Sequence, residues 1–145
     1  MTSDVAIIDS GGANIASLRF ALERLGASST LTVDADELRA APRVIAAADA
    51  MLRLESLRLV EVISALRQPV LGICLGMQLL FDASDEGDTR CLGLLPGRVE
   101  RFPDRDGFPV PHMGWNQLDF EAGSALMTGI DRGEYVYFVH SYRAP

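Results

Sequence analysis

Apolar residues recur in short blocks along the first half of the chain, and each block is followed by residues at helical spacing. Val5-Ala6-Ile7-Ile8 is an unbroken apolar run that ends at Asp9-Ser10-Gly11-Gly12, the pattern of a buried strand. Asn14 then stands where a helix N-cap belongs. Ile15, Leu18, Leu22 and Leu25 recur at helical spacing, and Gly26 marks the stop. Thr30 to Val33 predicts a second short strand, and Asp34 caps a short helical stretch through Ala41. Val44-Ile45 predicts a third strand. Residues 46–66 are helix-rich, with Leu52, Leu59, Ile63 and Leu66 as the inner face, and Val70 to Ile73 predicts strand four. This alternation predicts an α/β fold: a parallel central sheet flanked by helices.

After Phe81 the rhythm changes. Gly87, Gly93, Pro96, Gly97, Pro103, Gly107, Pro109 and Pro111 crowd the chain. Arg98 to Phe102, Gln117 to Phe120 and Tyr135 to His140 predict strands with no long helix between them, an antiparallel extension of the same domain. No internal repeat or linker divides residues 1–145. One junction stands out. Val44-Ile45 runs into Ala46-Ala47-Ala48-Asp49 without turn residues, although a strand-to-helix connection usually takes about 2–6 residues. Either Val44-Ile45 is not a strand or residues are missing there.

Composition narrows the function classes. The chain has 145 residues, enough for one core, and 48% of them are hydrophobic, which argues a globular protein. The net charge of −7 and the lack of a basic stripe argue against nucleic acid. No apolar run is long enough to span a membrane, and the N-terminus has no signal-peptide layout, so the cytoplasm is the expected compartment. The two cysteines form neither a disulfide framework nor a zinc motif. The acidic group Asp82, Asp85, Glu86 and Asp88 reads as a solvated loop. No metal and no cofactor are expected.

The chemistry concentrates in Gly72-Ile73-Cys74-Leu75-Gly76-Met77-Gln78. G-x-C-x-G after a strand and before a helix is the cysteine form of the nucleophile elbow, a strained turn that only small neighbours allow. The helix start behind it favours thiolate over thiol. A lone cysteine is often buried and inert, but the flanking glycines and the strand-turn-helix setting favour a nucleophile. Cys91 has no such context and reads as a packed cysteine.

The cysteine segment resembles that of class I glutamine amidotransferases, a flavodoxin-like α/β family. Pro111-His112-Met113-Gly114-Trp115-Asn116 and Tyr137-Phe138-Val139-His140-Ser141-Tyr142-Arg143 narrow the resemblance to the glutaminase subunits of imidazole glycerol phosphate synthase. The similarity runs from Val5 to the last residue. It implies hydrolysis of L-glutamine to glutamate and ammonia, with ammonia passing to a (β/α)8-barrel cyclase subunit. Cys74 would attack the carboxamide, the backbone N–H of Leu75 would hold the oxyanion, and a histidine would move the protons. By the same resemblance Gln78 faces the glutamine, Glu86 holds its α-ammonium, and Ser141 and Tyr142 close over its amino-acid end. On its own Gln78 would read as an ordinary helix surface residue, and Ser141 and Tyr142 as strand-end residues.

Asn14, Met113, Trp115 and Tyr137 resemble the face toward the barrel partner. Core packing is an equal reading for Trp115, the only tryptophan. The chain also departs from the family pattern. The loop after the third strand, which supplies oxyanion-hole contacts, is lacking near 45–46. The His-x-Glu part of the triad has no counterpart within 145 residues, and His112 and His140 match other motifs. Two alternatives therefore stand beside the glutaminase: a non-catalytic docking subunit, and another elbow-type cysteine hydrolase.

Overall fold

The structure is a computed structural model that describes residues 3–9, 11, 14–47, 51–121 and 123–145. Ser10 and Gly12 of the predicted first turn, and residues 48–50 of the predicted helix-rich segment, lie outside the described residues. The chain divides into two compact units, Met1–Val99 with Ala144–Pro145, and Glu100–Arg143.

In the first unit, β1 (Val5–Ile8), β2 (Ser29–Thr32), β3 (Val44–Ala46) and β4 (Val70–Gly72) form a parallel sheet in the order β2-β1-β3-β4. Every residue of β1 is buried, which explains its unbroken apolar run: helices cover both faces of the central strands. The period-2 alternation splits the core in two. Ile7 and Ile45 face Ile15, Leu18 and Leu22 of α1 (Ile15–Arg24). Ile8 and Val44 face the other way, with Leu38 of α2 (Ala35–Ala40), Leu54 of α3 (Met51–Ser56), and Val62 and Ile63 of α4 (Val60–Ser64).

The capping chemistry is as the sequence predicts. Asn14 Oδ1 accepts the Ser17 amide at 3.2 Å. Asp34 Oδ1 accepts the amides of Asp36 and Glu37 at 2.8 and 2.9 Å. Gly26 ends α1 at φ 74°, a left-handed position that suits a residue without Cβ.

Two helical faces differ from expectation. Leu52 lies at 78% exposure, because Met51 and Leu54, three apart, set the buried face of α3. The helix-rich segment holds two helices, parted at Arg58 with φ 55°. Leu59 and Ile63 are buried as expected. Leu25 is exposed, since the helix has already ended beneath it. Val44–Ala46 is a strand, paired with β1 through Ala6↔Val44 and with β4 through Ile45↔Leu71. The first explanation of the abrupt junction is thereby removed. β4 is one residue shorter than predicted and stands at the edge of the sheet, with Leu71 and Ile73 exposed.

The first unit continues through α5 (Leu75–Gln78), β5 (Ala83–Ser84) and β6 (Thr89–Arg90) to β7 (Arg98–Arg101), whose first two residues pair parallel with β5. In the second unit the end of β7 pairs antiparallel with β10 (Tyr142–Arg143). There β8 (His112–Gln117) and β9 (Tyr135–His140) make an antiparallel ladder of six residue pairs. The expected strand at Gln117 to Phe120 begins five residues earlier. Its partner β9 pulls the whole His112-to-Gln117 run into the ladder, across Gly114. Among the described residues no helix is long and apolar enough to cross a membrane.

Candidate active site

Cys74 sits where β4 turns into α5. Its backbone lies at φ 55° and ψ −123°, a region that a residue with a side chain enters only under constraint. The constraints are visible on both sides. The Ile73 amide donates to Ala46 O at 3.1 Å and holds the end of β4 on β3. The amides of Gly76 and Met77 donate to Ile73 O and Cys74 O, both at 3.0 Å, and wind the chain into α5 at once. A Cβ on Gly72 would lie 2.5 Å from Met77 Cα and 2.8 Å from Met77 N, so this turn closes only on glycine.

Cys74 is exposed, as a nucleophile that must meet substrate has to be. Leu75 is the first residue of α5, and its N–H, one residue after the cysteine, therefore lies outside the hydrogen bonds of the helix itself. Cys91 is the opposite case. It is buried, its Sγ donates to Thr89 O at 3.6 Å, and burial pushes its thiol above the ordinary cysteine range.

One turn past the cysteine the structure corrects the surface reading of Gln78. This side chain is buried, inside a network that spends both ends of its amide. Nε2 donates to Glu86 Oε2 at 2.7 Å, and Oε1 accepts from Ser84 Oγ at 2.7 Å. Ser84 Oγ in turn accepts the Glu86 amide at 3.1 Å. Gln78 and Glu86, which the family resemblance implies as substrate contacts, are thus joined directly, with the Glu86 residue itself exposed. Ser84 is the member that sequence reading missed. It is 2% exposed, and the only trace of it in the sequence is its place two residues before Glu86. Ser84→Ala would leave Gln78 Oε1 without its donor in a buried site. The expected cost is about 1–3 kcal/mol, read as a lower urea midpoint at unchanged slope.

The acidic loop is tied to the body of the first unit as well as solvated. Arg98 donates from Nε to Asp85 at 2.6 Å and from an Nη to Asp88 at 2.5 Å, and Asp82 Oδ2 accepts the Gly97 amide at 2.8 Å. No group of three or more metal-ligating side chains converges among the described residues.

In the second unit, the pairing of β8 with β9 sorts side chains onto two faces. Met113, Trp115, Tyr135, Tyr137 and Val139 stand on one face, all exposed. Trp115 meets Tyr137 edge-on, with ring centroids 5.6 Å apart. At 69% exposure Trp115 is not a core residue, which ends the packing reading. The opposite face carries His112, Phe138 and His140. Ser141 and Tyr142 follow directly and are half-buried. Asn14, in the first unit, is exposed and caps α1.

Comparison with known proteins bears on the family and the fold. The family model "Glutamine amidotransferase class-I" matches residues 6–145. Imidazole glycerol phosphate synthase subunit HisH of Xanthomonas euvesicatoria pv. vesicatoria is 53% identical over 148 residues, covering 99% of this chain and 74% of that protein. The subunit of the same name from Xylella fastidiosa (strain Temecula1) is 50% identical over the same shares of both chains. A crystal structure of a glutamine amidotransferase, 15% identical, superposes with a TM-score of 0.68 over 94% of this chain and 70% of that one, a likeness of fold.

Proposed function

Because the chain belongs to the class-I glutamine amidotransferase family, we propose that it is the glutaminase subunit of an imidazole glycerol phosphate synthase. In this reading it hydrolyses L-glutamine to glutamate and ammonia. It works in the cytoplasm as a heterodimer with a (β/α)8-barrel cyclase subunit, which consumes the ammonia. The observation that carries it is the turn at Cys74: an exposed sulfur on a left-handed backbone, closed by Gly72 and followed within one turn by the Gln78–Glu86 pair.

The chemistry follows from those groups. The Cys74 thiolate adds to the carboxamide carbon of glutamine, and the carbonyl oxygen becomes an oxyanion beside the Leu75 N–H. Collapse expels ammonia once the nitrogen has been protonated and leaves a glutamyl thioester, which water hydrolyses. The Glu86 carboxylate is the counter-charge for the substrate's α-ammonium, and Gln78 holds that carboxylate in place. Ser141 and Tyr142 contact the amino-acid end. Neither His112 nor His140 is assigned as the base: they match other motifs of the family, whose base stands in a His-x-Glu segment.

The loop that in relatives follows β3 would add oxyanion contacts. With the barrel subunit present, glutamate release on adding glutamine is the expected result. No release at any ratio of the two proteins would leave the docking role alone.

The exposed face of β8 and β9 is the partner surface in this reading, with Met113, Trp115 and Tyr137 as its anchors and Asn14 as a further contact. Large aromatic side chains at such exposure are typical hot spots. Trp115→Ala is expected to weaken association by about 1–3 kcal/mol, measured by titration against the barrel subunit. The thermal unfolding of the isolated chain should stay where it is, because the indole is largely in solvent already.

A further inference from the structure

His112 and His140 face each other across β8 and β9, and neither has a part in the chemistry above. His140 Nδ1 lies 2.8 Å from Tyr142 O, and His140 Nε2 lies 3.3 Å from His112 Nδ1. A carbonyl oxygen only accepts, so His140 Nδ1 carries the proton in that contact. In the neutral ring Nε2 is then bare and must accept, which makes His112 Nδ1 a donor. Both rings are held in the Nδ1–H tautomer, and the direction of the chain is set: His112 donates to His140, and His140 donates to the backbone of Tyr142.

The rings have little freedom to leave this arrangement. Phe102 meets His140 edge-on at 5.0 Å, and Phe138 stacks on His112 at 5.3 Å. The carbonyl before that of Tyr142 is also held, since the Phe102 amide donates to Ser141 O at 2.9 Å. Two successive carbonyls at the bend between β9 and β10 are therefore each tied to a fixed donor. The donor for the second comes from a side chain and not from the strand ladder.

We propose that His140 is a positioning residue for glutamine, fixing the Ser141–Tyr142 segment through the Tyr142 carbonyl, with His112 holding it in the required tautomer. This rests on the reading of Ser141 and Tyr142 as substrate contacts. The role is not acid–base. A residue that sets the geometry of a binding segment changes KM more than kcat, because its effect is spent on binding the substrate.

The test uses the complex with the barrel subunit and glutamine. His140→Phe keeps the ring's bulk against Phe102 and Phe138 and removes both hydrogen bonds. KM for glutamine is expected to rise about three- to tenfold, the worth of one net hydrogen bond, with kcat nearly unchanged. His140→Asn places an amide N–H near the old Nδ1 position and is expected to recover most of the loss. An unchanged KM in His140→Phe, while Ser141→Ala and Tyr142→Ala raise it, overturns the relay and leaves the substrate reading standing. An unchanged KM in all three overturns both. Long-range proton–nitrogen NMR of the isolated chain supplies a readout free of activity: both neutral rings are expected with Nδ1 protonated and Nε2 bare, and a protonated Nε2 on neutral His140 overturns the proposal.

Discussion

Replacing Cys74 with alanine is expected to abolish glutamate release while association with the barrel subunit stays intact. Loss of a covalent nucleophile removes the thioester path itself, so the rate should fall by a factor on the order of 10⁴ or more. Alanine carries the same Cβ as cysteine and can occupy the left-handed backbone that the turn already enforces, so the elbow keeps its shape. The proposed anchors Met113, Trp115 and Tyr137 stand on a different unit from the sulfur, which is why association should be spared. Turnover is followed by coupled glutamate detection and association by titration. Full turnover in Cys74→Ala would sink the mechanism, and lost association would sink the assignment of the partner face. A glutamine-mimicking electrophile should add one label to the native chain and none to the variant, because buried Cys91 is shielded and its thiol is harder to ionise.

Gly72→Ala is expected to be the most damaging single methyl group in the first unit. The added carbon would meet Met77 Cα at 2.5 Å, Met77 N at 2.8 Å and Gly76 O at 2.9 Å. All three are backbone atoms, so no side chain can swing aside, and relief requires α5 to move off β4. The expected destabilisation is about 3 kcal/mol or more, at the upper end of overpacking, read from urea denaturation. Glutaminase activity should fall with it even in the folded fraction, since the same shift displaces the Leu75 N–H from the sulfur. A variant with native stability and native turnover would show that the turn does not depend on glycine. Ser84→Ala, in contrast, disturbs side chains only and should leave the turn intact.

Most of the parallel sheet is legible in the chain. An apolar run such as Val5 to Ile8 can be stable only where both faces are covered, and the helices that cover it follow in order. The caps at Asn14 and Asp34 are equally plain, because an N-cap is a contact within three residues. The reading failed where one residue's rotation decides a face. Leu52 and Met51 are neighbours and both apolar, and it is Met51, with Leu54 three residues on, that takes the buried face. It failed again at β8, whose bounds depend on what β9 offers across the ladder.

The α/β scaffold and the place of the nucleophile are written in the chain alone. A strand, a tight turn and a helix start are local events, and the glycines at 72 and 76 announce them within five residues of each other. The burial of Gln78 and the hold of Ser84 on it come from tertiary packing. The same packing joins His112 to His140 and turns Trp115 outward. Those outcomes depend on residues brought together across turns and strand pairs. A hydrogen bond between side chains 28 positions apart has no signature in either one alone.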